Sequence, residues 1–320
     1  MVLLDRINKF LKSWAMAVAM VVGIASYLIY RELPLSVETK ASVRAFIDFI
    51  IPTMVFAMLY VTFCKVNLRD VKFTRWHLVL SVFQIAFMVV IAVVLHFVTD
   101  EVVQVLLQAA FICLASPTAT GSVVVLTTRF GGNSETTTAY TIISNLITAF
   151  CVPVLLPLMS QETDVLGTFL LILKRVTPLL VIPLALAYLT QRFKPEVSTF
   201  LSSFRNLPMY LWAVAMCLAL AMTMRFILTS NFPVSVEVAI ALVSMLVCFI
   251  LFFFGKKLGG MYGEKIGAGQ GLAQRNTVFI IWLGSNFLSP ISSIAGGFYS
   301  IWQNSFNSYQ MYKFSKNGKI

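Results

Sequence analysis

The chain has 320 residues, 59% of them hydrophobic and 12% charged. Soluble domains run nearer half and a quarter. Apolar stretches long enough to span a bilayer recur from end to end, which excludes a sizeable soluble domain between them. The net charge of +11 would suit a nucleic-acid surface, but the basic residues are sorted by side of a membrane, so no nucleic-acid partner is expected.

Hydropathy predicts helices at about 14–30, 43–63, 76–97, 102–129 (broken), 136–159, 166–190, 207–229, 235–255, 262–288 (broken) and 290–312. The first stretch, Trp14 to Tyr30, follows a basic lead of Arg6, Lys9 and Lys12. It has no small-x-small cleavage site and many spans follow it, so it reads as a first helix and not as a signal peptide. With the N-terminus inside, 17 basic residues fall on inner segments: Arg6, Lys9, Lys12, Lys65, Arg69, Lys72, Arg75, Arg129, Arg192, Lys194, Arg205, Lys256, Lys257, Lys265, Lys313, Lys316 and Lys319. Four fall outside: Arg31, Lys40, Arg44 and Arg225. The positive-inside rule then puts both termini in the cytoplasm of a multi-pass inner-membrane protein. Asp100, Glu101, Glu162 and Asp164 fall in outer loops.

The helix starts of the two halves are offset by 152 to 164 residues, nearly constant. Five spans per half is an odd number, so the halves enter the membrane in opposite senses. The fold class expected is all-α, ten transmembrane helices as a 5+5 inverted repeat, residues 1–160 and 161–320, with helices four and nine broken.

Irregular backbone at membrane depth is tolerated only where protein or a cavity surrounds it. The first break is read over Ser116-Pro117-Thr118-Ala119-Thr120-Gly121, the second over Gly267 to Asn276. Ser116, Thr118, Thr120 and Ser122 put small polar groups at a half-helix end, where carbonyls hold cations or substrate charges; a Pro kink capped by hydroxyls is the bland alternative. The next helix repeats Thr137, Thr141, Ser144 and Thr148 on one face with Asn145 beside it, a pattern that tight packing in lipid also favours. In the second break Gln270 and Gln274 share a face, with Arg275 and Asn276 adjacent. A charge at the bilayer centre costs roughly 2.5–3.5 kcal/mol, so Arg275 needs a partner or snorkels to the cytoplasmic face. Gln303, Asn307 and Gln310 lie on one face of the last helix, with Asn304 adjacent, and should point into protein.

Lys174 and Arg175 sit roughly 13 Å below the outer surface at about 1.5 Å per residue. Two readings stand: one pairs with Asp48 while the other meets an anionic substrate, or the ion pair is purely structural. His77 and His96, at the ends of one helix, read as interfacial; Trp14, Trp76 and Trp212 fit an aromatic belt. The five cysteines (Cys64, Cys113, Cys151, Cys217, Cys248) are scattered, with no metal-clip spacing, and read as packing residues.

At its two breaks the chain resembles the bile acid:sodium symporter family, over essentially its whole length. The likeness is carried by Pro117 to Ser122, by Thr137 and Thr141, and by Gln270-Gly271-Leu272-Ala273-Gln274. It implies a six-helix core and a four-helix panel, with the broken helices crossing in the core beside two sodium sites. Ser122, Thr137 and Thr141 would match hydroxyl ligands of the first sodium, and Gln274 a glutamine ligand of the second. The family's bridging Glu is Gln270 here (Gly269 with a one-residue slip), an Asn after the break's Ser is Val123, and an Asn beside the second crossover is Arg275. A carboxylate is thus lost and a guanidinium gained, so Arg275 is expected to stand in for sodium.

The resulting expectation is a secondary transporter of an organic anion, bile-acid-like or a small carboxylate, working by alternating access with sodium coupling weakened or absent. The alternatives are a proton-coupled or uncoupled exporter of the same fold, arsenite-exporter-like, for which Cys113 invites comparison, and a membrane enzyme. No phosphate-binding glycine loop suggests a pump. Acids within the spans are the isolated Asp48 and Glu237, poor support for an enzyme. No cofactor beyond a sodium ion is expected; partners are the anion and the bilayer. The sequence specifies neither the substrate nor an oligomeric state.

Overall fold

The computed structural model describes residues 18–66, 71–159, 164–204 and 207–316, helical throughout apart from one isolated β-bridge. In chain order the helices are α1 (18–32), α2 (Val37–Cys64), α3 (Arg75–Phe97), α4 (Glu101–Ala115), α5 (Thr120–Arg129), α6 (Ser134–Met159) and α7 (Val165–Phe193). There follow α8 (Pro195–Ser203), α9 (Leu207–Thr229), α10 (Val234–Gly260), α11 (Lys265–Ala273), α12 (Thr277–Phe287), a 3-10 turn at Pro290–Ser293 and α13 (Ile294–Lys316). Six of these, α2, α3, α6, α7, α9 and α10, are long and apolar enough to cross a membrane. α4 and α12 are apolar but short. α13 is long but carries the carboxamides Gln303, Asn304, Asn307 and Gln310. Arg6, Lys9, Lys12, Trp14, Arg69, Glu162, Arg205 and Lys319 lie outside the described residues.

α2 starts at Val37, well before the expected 43. Its polar first turns hide it from hydropathy, while the Ser36 hydroxyl caps it by accepting from Thr39 N at 3.2 Å. α8 was not expected; Pro195 opens it at the first helical position. Proline inside α6 is tolerated because a neighbour replaces the missing donor. Pro153 leaves the Ala149 carbonyl free, and Thr177 Oγ1 of α7 donates to it at 2.7 Å.

The larger correction is at the second break. Gly267 to Ala273, read as irregular, is helical, and only Gln274 to Asn276 is not. The glycines serve packing. A Cβ on Gly267 would sit 2.6 Å from Thr137 Oγ1 on α6, one on Gly269 2.6 Å from Lys256 Cγ on α10, and one on Gly271 2.8 Å from the Tyr140 ring. Small residues let helices approach closely in lipid, where dispersion rather than hydrophobic burial drives association. Every residue from Gly267 to Ala273 is buried as a result.

α11 and α12 thus lie at the centre with α4, while α5, of which only Thr120, Val123 and Thr127 are buried, packs on α6, α11 and α2. Around them pack α3, α6, α10 and α13, while α2 packs with α7 and α9 and touches α5 and α12. Trp76 and His77 belong to that interior and not to a membrane interface. Trp76 is 1% exposed and lies 5.4 Å from the Tyr140 ring, and His77 Nε2 is 2.8 Å from the Thr136 carbonyl oxygen. His96 is exposed, 3.0 Å from the Leu158 carbonyl oxygen, and Trp212 is half-buried.

Candidate functional site

The two breaks meet face to face. Ala119 N donates to Gln274 O at 2.8 Å and Asn276 N to Pro117 O at 2.9 Å, a short antiparallel bridge centred on Thr118 and Arg275. A helix end leaves its last carbonyls without intrahelical donors, and in lipid each unsatisfied one is costly. At the end of α4 the donors come from two helices and from the opposite break. Gln84 Nε2 of α3 donates to Leu114 O at 3.0 Å, Thr148 Oγ1 of α6 to Ala115 O at 2.8 Å, and Arg275 Nη1 to Ser116 O at 2.7 Å. At the end of α11, Thr118 Oγ1 donates to Gly271 O at 2.7 Å and Tyr299 OH of α13 to Ala273 O at 2.8 Å. Gln303 of α13 both accepts from Arg275 N at 3.0 Å and donates to Arg275 O at 3.4 Å.

Arg275 is fully buried, which rules out snorkelling to the cytoplasmic face. Among the described residues the ion pairs are Arg31–Glu32 and Lys72–Glu135, both exposed, and no Asp or Glu is buried. The guanidinium therefore has no carboxylate. One of its nitrogens, Nη1, donates to the C-cap carbonyl of α4, and the residue directly follows the C-cap of α11, while Nε and Nη2 are buried with no hydrogen-bond partner. Each helix C-terminus carries roughly half a negative charge, so two such ends offset about one positive charge.

The N-terminal ends differ. Asn276 Oδ1 accepts from Phe279 N at 3.2 Å and caps α12. Ala119 at the head of α5 supplies no side-chain cap. Gly121 and Ser122 in the first turn of α5 are exposed; a Cβ on Gly121 would be 3.8 Å from Thr62 Oγ1 of α2 and 4.0 Å from Pro208 Cβ of α9. The uncapped end therefore faces the α2 and α9 layer.

The other sequence candidates divide. Ser116 Oγ donates to Asn276 O at 2.9 Å, Thr118 N to Ser144 Oγ at 3.1 Å, and Thr120 Oγ1 back to Thr118 O at 3.3 Å. All four side chains are in the crossing. Gln270 Nε2 donates to Asn307 Oδ1 at 3.1 Å. Gln270 Oε1, Gln274 Nε2, Asn276 Nδ2, Asn307 Nδ2 and Asn145 Oδ1 are buried with no hydrogen-bond partner. Thr137 and Thr141 are buried but donate to their own helix, to Asn133 O and Thr138 O, each at 2.7 Å, and Asn145 Nδ2 donates to Thr141 O at 2.7 Å. Ser122 is exposed and turns to Ala119 O at 3.3 Å.

Lys174, Arg175 and Asp48 are all exposed, and no ion pair joins either cation to Asp48. α7 turns both basic side chains outward at that level, so the expected pairing does not form.

Sequence reading missed Gln84 and Tyr299. Gln84 is the one carboxamide in α3, and Tyr299 lies one turn before Gln303, so each carried a signal: a polar group on a face that should point into protein.

The donor set offers hydroxyls and carboxamides with no carboxylate among the described residues, and a buried guanidinium stands among them. The free cysteines include Cys113, fully buried in α4.

No curated protein matches the chain. The family model of the SBF-like CPA transporters matches residues 16–286, well over half the length.

Proposed function

The chain belongs to the SBF-like CPA transporter family, and from that membership and the crossing we propose that it is a secondary transporter of an organic anion, with Arg275 fixed where a coupling sodium would otherwise sit. The membrane-helical fold and the family support a membrane transporter; substrate and coupling are this reading's own. The observation that carries it is the fully buried guanidinium, 2.7 Å from the C-cap carbonyl of α4, with no buried acid beside it. A cation held there is permanent and not exchangeable. A sodium ion about 4 Å away would be repelled by roughly 4 kcal/mol at an effective dielectric of about 20, about three powers of ten in affinity. The absence of any buried Asp or Glu among the described residues argues against a carboxylate proton carrier as well.

In this reading the chain forms ten spans as an inverted 5+5 repeat, residues 1–160 and 161–320, with both termini in the cytoplasm of an inner-membrane protein. The crossing of the two broken spans is the centre of that repeat. Helices α3 to α6 and α10 to α13 move as a core against a panel of α1, α2, α7 and α9. The anionic substrate sits between them, at the uncapped N-terminus of α5 facing α2 and α9. Helix N-termini attract anions, and Ser122 is the exposed hydroxyl there.

Uptake of labelled small carboxylates and bile-acid-like anions into proteoliposomes tests this. Saturable uptake of at least one, competed by other organic anions, is expected. Transport of neutral or cationic solutes alone would overturn the anion assignment.

A further inference from the structure

Away from the crossing, the C-terminal end of α10, the N-terminus of α11 and the outer side of α13 enclose an open cleft of about 750 Å³. Its walls are of two kinds. Phe249, Phe253 and Phe306 line the apolar part, and Lys256, Lys257 and Lys265 the basic part. Phe249 is 43% and Phe253 59% exposed, so neither is consumed by packing within the chain. A 27-residue helix such as α10 is about 40 Å long, against a hydrocarbon core of about 30 Å. Its last turns therefore reach the headgroup region, while Phe249 and Phe253 lie one to two turns deeper.

Among the described residues no acid pairs with these lysines. The nearest acid in sequence, Glu264, accepts from Thr136 Oγ1 on α6 at 3.2 Å. Lys256 is also held in place. Its stem lies across Gly269, its ammonium group donates to Gln310 Oε1 at 2.6 Å, and it sits 4.9 Å above the Phe306 ring. Lys257 lies 5.9 Å from the centre of the Phe253 ring. Three uncompensated cations over an apolar trough at a membrane boundary match a headgroup phosphate above acyl chains.

We propose that this cleft is a binding site for an anionic phospholipid, the phosphodiester between Lys256 and Lys265 and an acyl chain along Phe249 and Phe253. The site holds independently of what the chain transports. It is not remote from the crossing, however. Gln310 Nε2 donates to Asn307 Oδ1 at 3.5 Å and Gln270 Nε2 donates to the same oxygen at 3.1 Å, so a short polar chain runs from Lys256 to Gln270.

The test is native mass spectrometry of the full chain in detergent, titrated with dioleoyl-phosphatidylglycerol or dioleoyl-phosphatidylcholine. Retention of phosphatidylglycerol well above phosphatidylcholine is expected. At about five-fold per basic residue near the surface, Lys256→Gln with Lys265→Gln should weaken phosphatidylglycerol about 25-fold. Lys256→Arg should keep it, and Arg192→Gln, an exposed cation at the far end of α7, should leave it unchanged. Thermal unfolding of each variant without added lipid shows that it is folded. Equal retention of both lipids, or an unchanged double variant, would overturn the proposal. So would displacement of the lipid by millimolar inorganic phosphate, which would make the cleft a free-phosphate site.

Discussion

The first break contains no formal charge and takes its donors from α3, α6 and the opposite break; the second carries a guanidinium and takes its donors from α13 and the opposite break. Both supply donors to helix-end carbonyls of the other, yet they leave different residues of charge. Arg275 sits where the negative ends of α4 and α11 converge, and Asn276 closes the positive end of α12. The positive end of α5 is left uncapped and faces α2 and α9. A fixed cation thus occupies the cation-attracting side of the crossing, and the anion-attracting side stays open at one place. Two interrupted helices that share a geometry divide the electrostatic work between them.

The contrast breaks first if the guanidinium is dispensable. Arg275→Leu removes a charge-assisted hydrogen bond worth about 1.5–3 kcal/mol and leaves Ser116 O unserved. It should lower uptake per folded molecule by about one to two powers of ten; uptake close to the unmutated rate would dissolve the distinction between the breaks. Glycine tests the packing side of the same comparison. Gly271→Ala drives a methyl against the Tyr140 ring and should lower stability by about 1–3 kcal/mol. Gly121→Ala, at a helical position with nothing nearer than 3.8 Å, should be neutral or stabilise by up to about 1 kcal/mol, because alanine loses less backbone freedom than glycine on folding. Thermal unfolding in detergent measures both, and equal losses would mean that the two breaks are equally packed.

Smaller effects sharpen the picture. Thr118→Val removes the hydroxyl that serves Gly271 O and should cost about 1 kcal/mol in the same assay. Ala119→Asp places an anion at the open end of α5, where such a charge stabilises by about 0.3–1 kcal/mol. It should raise the KM for an anionic substrate about two- to five-fold by competing for that end, with little change in folded yield. An unmoved KM would put the substrate elsewhere.

Much of this was written in the sequence, and the failures have physical causes. The breaks, Arg275 and the polar faces of α6 and α13 were legible because polar groups at membrane depth need a reason. What each polar group does was not. Ser144, Thr148 and Gln303 serve the backbone of the breaks, whereas Thr137 and Thr141, on the same stripe, bond their own helix. Spacing places residues on a face and cannot say which carbonyl lies opposite. The glycines of α11 misled for a similar reason, since glycine marks both irregular backbone and close helix contact, and here the contact with Tyr140, Thr137 and Lys256 decides. The pairing of Lys174 or Arg175 with Asp48 failed because a one-helix reading of depth carries no information on azimuth relative to another helix.

The central claim is that a resident guanidinium takes the place of coupling sodium. Its direct test is uptake of a transported anion into proteoliposomes in sodium and in choline buffers of equal ionic strength, with Arg275→Asn measured alongside. Rates equal within about two-fold are expected for the unmutated chain, since a neighbouring fixed charge costs sodium about three powers of ten in affinity. The same comparison in Arg275→Asn should show lower uptake with a relative gain in sodium. Strong sodium stimulation of the unmutated protein would contradict the claim.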